Sequence, residues 1–184
     1  VDEARLIKNL RDDNDRDSAR ALLQSYEQPL FHYIYRMLGH HQDAEDALSE
    51  TFTKVLRGLL SERYQEQQQF KAWIYRIARN EAINIIRRRE RTTVQEDPAE
   101  HVPDPSPASA VAEAVMNVEL KKLLWDAIAT LPTGEREVLV LRLKSDLSFR
   151  EIAEITGSAL NTVLGRMHNA KKRLRNFMLE EVNE

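Results

Sequence analysis

Residues Ser148 to Arg175 read SFREIAEITGSALNTVLGRMHNAKKRLR, and this stretch decides how the rest of the chain is understood. Ser148 and Glu151 have the spacing of a capping box, in which each side chain satisfies a backbone N–H at a helix start, directly before Ile152, Ala153 and Ile155. Gly157 ends that helix, and Ser158 is placed to cap the next. Along the second helix Val163, Met167, Ala170, Leu174 and Phe177 recur at helical spacing as one apolar stripe. The opposite face carries Asn161, Gly165, His168, Asn169 and Lys172. Arg166 and Arg173 lie on one flank, Lys171 and Arg175 on the other, and no Asp or Glu occurs between Glu154 and Glu180. An amphipathic hairpin with a solvated basic face would account for part of this pattern. The coincidence of cap, small Ala153 at the helix crossing, glycine turn and basic second helix favours a DNA-reading helix-turn-helix.

With 184 residues the chain has room for one ordinary domain or two small ones, and 42% apolar content supports packed cores. The net charge of −3 hides an uneven distribution: Arg87, Arg88, Arg89 and Arg91 crowd together, whereas no Lys or Arg occurs between Arg91 and Lys121. The absence of cysteine excludes disulfides, thiolate metal sites and thiol catalysis, and fits a cytoplasmic protein. No apolar run approaches the roughly twenty residues of a membrane span, and VDEARLIKNLRDD lacks the hydrophobic core of a signal peptide. The chain begins with Val1 rather than Met, as a trimmed or partial chain would.

Five glycines and no sustained alternation of apolar residues predict an all-α chain. Helices are expected near Asp2 to Arg11, from Asp17 to Leu38 with a bend at Pro29 and a stop at Gly39, and from an Asp43 cap to about Leu60. A Gln-rich loop, Ser61 to Gln69, leads to a fourth helix at Phe70. From Thr92 to Val115 the composition shifts to four prolines, small residues and acids only, which reads as a flexible acidic linker. Beyond it, helices are expected near Asn117 to Thr130 and Gly134 to Lys144, then the helix-turn-helix. The expected division is 1–95, a linker over 96–116, and 117–184.

Asp43, Asp46, Glu50 and Thr53 share the face of the third helix opposite Leu48, Phe52 and Val55. Such a stripe is either a solvated face that also complements the helix dipole, or a docking surface for a basic helical partner. His40, His41, Asp43, Glu45 and Asp46 lack the spacing of a zinc helix, and no phosphate loop or nucleophile motif occurs, so neither a metal, a cofactor nor a catalytic residue is expected. The fourth helix has Phe70, Trp73, Ile74 and Ile77 on its buried side. Arg76, Asn80, Ile83 and Arg87 form another stripe that continues into Arg88 and its basic neighbours. This is either a basic helix end or a surface for unstacked single-stranded bases.

The segments DAEDALSETF (Asp43 to Phe52), FKAWIYRIARNEAINIIRRR (Phe70 to Arg89), LPTGEREVLVL (Leu131 to Leu141) and the helix-turn-helix together resemble bacterial RNA polymerase sigma factors of the extracytoplasmic-function type. The resemblance covers nearly the whole chain in the family's order. It implies a region 2 domain before the linker and a region 4 domain after it. It also implies that Asp43, Asp46, Ser49, Glu50 and Thr53 meet the clamp helices of core RNA polymerase, and that Arg76, Asn80, Ile83, Arg87 and Arg88 recognise and melt the −10 element of promoter DNA. The Ser61 to Gln69 loop would hold a flipped base. Asn161, Thr162, Gly165, Arg166, His168, Asn169, Lys172 and Arg173 would contact the −35 element. Glu96, Asp97, Glu100 and Asp104 would follow the RNA-exit path by imitating nucleic-acid charge. An anti-sigma factor is a further implied partner, one that can hold the cytoplasmic chain at the inner membrane; no small-molecule substrate is implied.

The chain departs from the family pattern at Ser49, where Gln is common, and at Leu164, Gly165 and Asn169, where a basic residue, Ser and Arg are common. Thr162, Val163 and Arg166 persist. The expected function is therefore an alternative sigma factor without enzymatic activity. A two-domain helix-turn-helix regulator acting without polymerase, and a helical adaptor with no DNA role, are the competing readings.

Overall fold

The computed structural model describes residues 2–13, 15–61, 64, 69–91, 122–144 and 147–182. Every regular element in these residues is a helix, as the sequence predicts: α1 (Glu3–Asp13), α2 (Arg16–Leu38), α3 (His41–Leu60), α4 (Phe70–Arg91), α5 (122–129), α6 (Thr133–Lys144), α7 (Phe149–Thr156) and α8 (Leu160–Val182). The expected linker, with its acids Glu96, Asp97, Glu100 and Asp104, lies outside the described residues, as does most of the Ser61 to Gln69 loop.

Helices α1 to α4 form the first unit. Leu22, Leu30, Tyr33, Ile34 and Met37 of α2 are fully buried with Val55 and Leu59 of α3 and Ile74 and Tyr75 of α4. Helix α2 starts at an Asp15 cap, whose carboxylate accepts from the Asp17 N–H, and runs through Pro29 to Gly39. Gly39 adopts a left-handed φ of 70° and donates its N–H to the Tyr35 carbonyl, a conformation that glycine takes without a side-chain penalty. Close approach of α3 and α4 also depends on a glycine. A Cβ at position 58 would stand 2.8 Å from two carbons of the Trp73 indole, so the ring fits only because Gly58 has no side chain. The indole is tilted against Tyr64 and Phe70, an aromatic group at the start of α4 that Tyr26 extends edge-on.

Two sequence expectations for this unit are corrected. Helix α3 begins at His41, not Asp43: the imidazole Nδ1 of His40 accepts the Asp43 N–H and caps the helix. Asp43 is free to turn elsewhere. On α4, Trp73 and Ile77 are only partly buried, while Tyr75, absent from the expected buried side, is 1% exposed. Tyr75 faces Tyr33 edge-on, with ring centres 5.7 Å apart.

Helices α5 to α8 form the second unit around Ile128, Leu141, Leu147, Ile152, Val163, Met167 and Ala170. The capping box of Ser148 and Glu151 is formed in full, and Gly157 closes α7 with a φ of 63°. Ser158 does not act as the expected cap of α8. Its hydroxyl instead accepts from the Arg166 guanidinium at 3.1 Å.

The two units pack against each other, α6 on α2 and α7 on α4, and share one continuous buried cluster. Arg36 of α2 stacks on the Trp125 ring of α5 at 3.9 Å, and Arg136 of α6 donates to the Met37 carbonyl at 3.3 Å.

Candidate nucleic-acid and polymerase interfaces

The first surface is on α3. Ala44, Ala47, Leu48, Thr51 and Val55 point into the bundle, which leaves Asp46, Ser49, Glu50 and Thr53 exposed along one side. Glu50 pairs with Lys54 at 3.3 Å, and Lys54 is also held by Glu81 of α4 at 2.8 Å. The hydrogen bond from Lys54 to Glu81 keeps the lysine charged above its ordinary range. Asp43, expected on the same surface, turns back instead. Its carboxylate pairs with the guanidinium of Arg89, which also donates to the Leu38 carbonyl at 2.8 Å. One arginine thus ties the end of α4 to the junction of α2 and α3.

The second surface is on α4. Arg76, Asn80, Arg87 and Arg88 are exposed on this helix, while Ile83 is half-buried at the edge of the stripe. The aromatic group at the start of α4 lies next to them in sequence, and Tyr64, a described residue of the preceding loop, is buried against Trp73. Arg11 fixes this corner by donating to the carbonyls of Leu59 and Tyr64 at 3.2 and 2.5 Å.

The third surface is the outer face of α8. Asn161, Thr162, Gly165, His168, Asn169 and Lys172 are exposed together, because Val163, Met167 and Ala170 bury the opposite side. Of the two arginines expected among them, Arg173 is exposed as well, whereas Arg166 is held within the unit. Arg166 is half-buried; besides its bond to Ser158, it lies against Gly134 of α6, where a Cβ would stand 3.1 Å from its Nε. Arg173 approaches the Glu135 carboxylate at 3.1 Å, an attraction of charges without the alignment of a hydrogen bond. Leu164 joins the outer face, 42% exposed.

Sequence reasoning missed the polar contacts between the units. Arg79 of α4 meets Glu137 of α6 at 2.5 Å, although Glu137 is only 2% exposed. The signal was there: Glu137 directly precedes the apolar run Val138 to Leu141 of TGEREVLVLRLK, where an acid is buried only when paired.

Family comparison agrees with this arrangement. Residues 22–92 match the Sigma-70 region 2 family and residues 121–174 match the Sigma-70 region 4 family. The chain is 30% identical to the ECF RNA polymerase sigma factor SigE of Mycolicibacterium smegmatis over 167 residues, spanning 89% of this chain and 62% of that protein. It is 29% identical to the ECF RNA polymerase sigma factor SigW of Bacillus subtilis, spanning 88% of this chain and 89% of the relative. In fold it resembles the sigma factor RpoE of Bartonella quintana, solved in complex with the anti-sigma factor NepR, with a TM-score of 0.71 at 22% identity over 86% of this chain and 95% of that one. The two regions in this order, together with these relatives, place the chain in the bacterial RNA polymerase sigma factors of the extracytoplasmic-function type.

Proposed function

We propose that this alternative sigma factor docks on core RNA polymerase through α3, recognises and melts the −10 element through α4, and reads the −35 element through α8. The observation that carries the reading is the separation of charge by helix. Asp46 and Glu50 stand exposed on α3, while Arg76, Arg87 and Arg88 stand exposed on α4. An acidic helix suits a basic protein partner, and a basic helix suits phosphate. Asn80 beside Arg76 adds an amide able to hydrogen-bond the edge of an unstacked base.

On this reading region 2 corresponds to residues 1–95 and region 4 to 117–184, joined by a linker over 96–116. The chain has no chemistry of its own and acts by binding. It works in the cytoplasm, where core polymerase and promoter DNA are its partners. Among the described residues no helix is long and apolar enough to cross a membrane. The RpoE neighbour was solved with an anti-sigma factor, and we infer a comparable regulator for this chain, one that can hold it at the inner membrane.

Run-off transcription with purified core RNA polymerase on a genomic promoter library tests the function. Transcripts from a restricted promoter set, dependent on the added chain, are expected. Binding to palindromic sites with no effect on added polymerase would favour a conventional helix-turn-helix regulator instead.

A further inference from the structure

We propose that the first turns of α8 read A·T base pairs rather than guanine in the −35 element, with Asn161 taking an adenine edge and Leu164 a thymine methyl group. The proposal rests on the reading of the second unit as the −35 reader and names the kind of sequence it takes.

A recognition helix contacts base edges with its N-terminal residues, while residues further along the helix meet phosphates. Arginine, and less often lysine, is the usual reader of guanine, through a bidentate contact to O6 and N7. From Leu160 to Asn169 the sequence LNTVLGRMHN has one such side chain, Arg166. That guanidinium is already committed: it donates to Ser158 at 3.1 Å and lies over Gly134. Lys171, Lys172, Arg173 and Arg175 begin a turn later, where phosphate contacts are expected, and Arg173 is drawn towards Glu135 at 3.1 Å.

The side chains left facing outward at the start of α8 have a different chemistry. Asn161 is exposed and carries the donor and acceptor pair that matches adenine N6 and N7. Leu164 is 42% exposed, an apolar surface that water disfavours and that a thymine methyl group would cover. Gly165 lies one turn on from Asn161 along the same face and follows Leu164 directly. A Cβ there would meet nothing within 4 Å, so the fold does not require the glycine. Its missing side chain lets the helix sit closer to the groove floor, within reach of the short Asn161 amide. His168, exposed one turn further on, offers a single ring N–H donor; purine N7 accepts it equally from adenine or guanine.

The test uses the full chain with core RNA polymerase and a promoter library randomised across the −35 element over a fixed −10 element. Enriched templates should carry A·T pairs in the window facing the start of α8, with no position that demands guanine. Each thymine in the best template is then replaced singly by uracil, which removes only the methyl group. One replacement should weaken wild-type binding several-fold and leave the Leu164→Ala variant unaffected, while Asn161→Ala should relax adenine preference about ten-fold at a neighbouring position. Both residues are exposed, so the variants should melt as wild type does. Chain-dependent transcripts from guanine-demanding templates, or uracil effects equal in wild type and Leu164→Ala, would overturn this inference alone. No chain-dependent transcript from any template would overturn the sigma reading and the inference with it.

Discussion

Arg79 on α4 and Glu137 on α6 form a two-point ion pair, Nε to Oε1 at 2.5 Å and Nη2 to Oε2 at 3.4 Å, across the boundary between regions 2 and 4. Glu137 is 2% exposed and Tyr33 is fully buried; burial, together with the Glu137 carboxylate, holds the Tyr33 phenol well above its ordinary range. Removing one partner of a buried pair leaves the other charge unsolvated, at a cost of about 3–5 kcal/mol, whereas replacing both by apolar residues is close to neutral. Arg79→Ala should therefore release region 4 from region 2, read as a larger radius of gyration by X-ray scattering. A double Arg79→Met, Glu137→Leu variant should stay closed. Equal radii for wild type and Arg79→Ala would show that apolar packing alone holds the units together.

Charge reversal at Asp46 and Glu50 together should weaken core polymerase binding roughly ten-fold or more, because an acidic stripe attracts a basic partner only while it is negative. The fold should survive: both residues are exposed, and Lys54 keeps its partner Glu81 when Glu50 is changed. A pull-down in which the folded variant retains full affinity for core polymerase would remove α3 from the docking surface.

Alanine at both Arg76 and Asn80 separates melting from duplex binding. If these exposed side chains hold unstacked bases, open-complex formation should fall more on duplex promoters than on a template already opened at the −10 element. The expected recovery on the opened template is several-fold. Equal losses on both templates would assign the pair to backbone affinity.

Much of this molecule is legible in its sequence because its signals are local. The capping box at Ser148 and Glu151, the stops at Gly39 and Gly157, and the apolar stripe from Val163 to Ala170 each depend on residues within a few turns of one another. What was not legible depends on residues far apart. His40 takes the cap from Asp43 while Arg89, 46 residues on, takes the Asp43 carboxylate. Gly58 is explained only by Trp73, and Glu137 only by Arg79. The polar outer faces of α3, α4 and α8 followed from periodicity, but periodicity does not tell which charges already have a partner in the fold, as Arg166 has in Ser158 and the exposed Arg173 has in Glu135.

The Glu151 carboxylate is held below its ordinary value of 4.5, first by its hydrogen bonding with Ser148, with Lys71 of α4 adding a smaller attraction; partial burial opposes both. A depressed carboxylate contributes stability that is complete above the ordinary value and is lost as pH falls through the lowered one. Glu151→Gln keeps an acceptor for the Ser148 N–H but cannot titrate. The variant should be less stable than wild type near pH 6, by about 1 kcal/mol or less, and the gap should close as the pH falls from 4.5 through the lowered value. Thermal melts at several pH values measure it; a constant gap would show that the charge of Glu151 contributes nothing.

Arg166 is the basic residue that persists from the family pattern, in which the resemblance implies a contact to the −35 element. Its engagement with Ser158 and Gly134 predicts a structural role instead, that of fixing α8 against the turn and the start of α6. Arg166→Ala should lower the stability of the second unit by about 1 kcal/mol, the usual worth of a partly buried hydrogen bond, and Ser158→Ala should do so by a similar amount. Because both remove the same contact, the double variant should cost clearly less than the sum. The dependence of −35 binding on salt should keep its slope, since a residue that touches no phosphate releases no counterion. A slope reduced by about one unit in Arg166→Ala, with stability unchanged, would return this arginine to the DNA backbone.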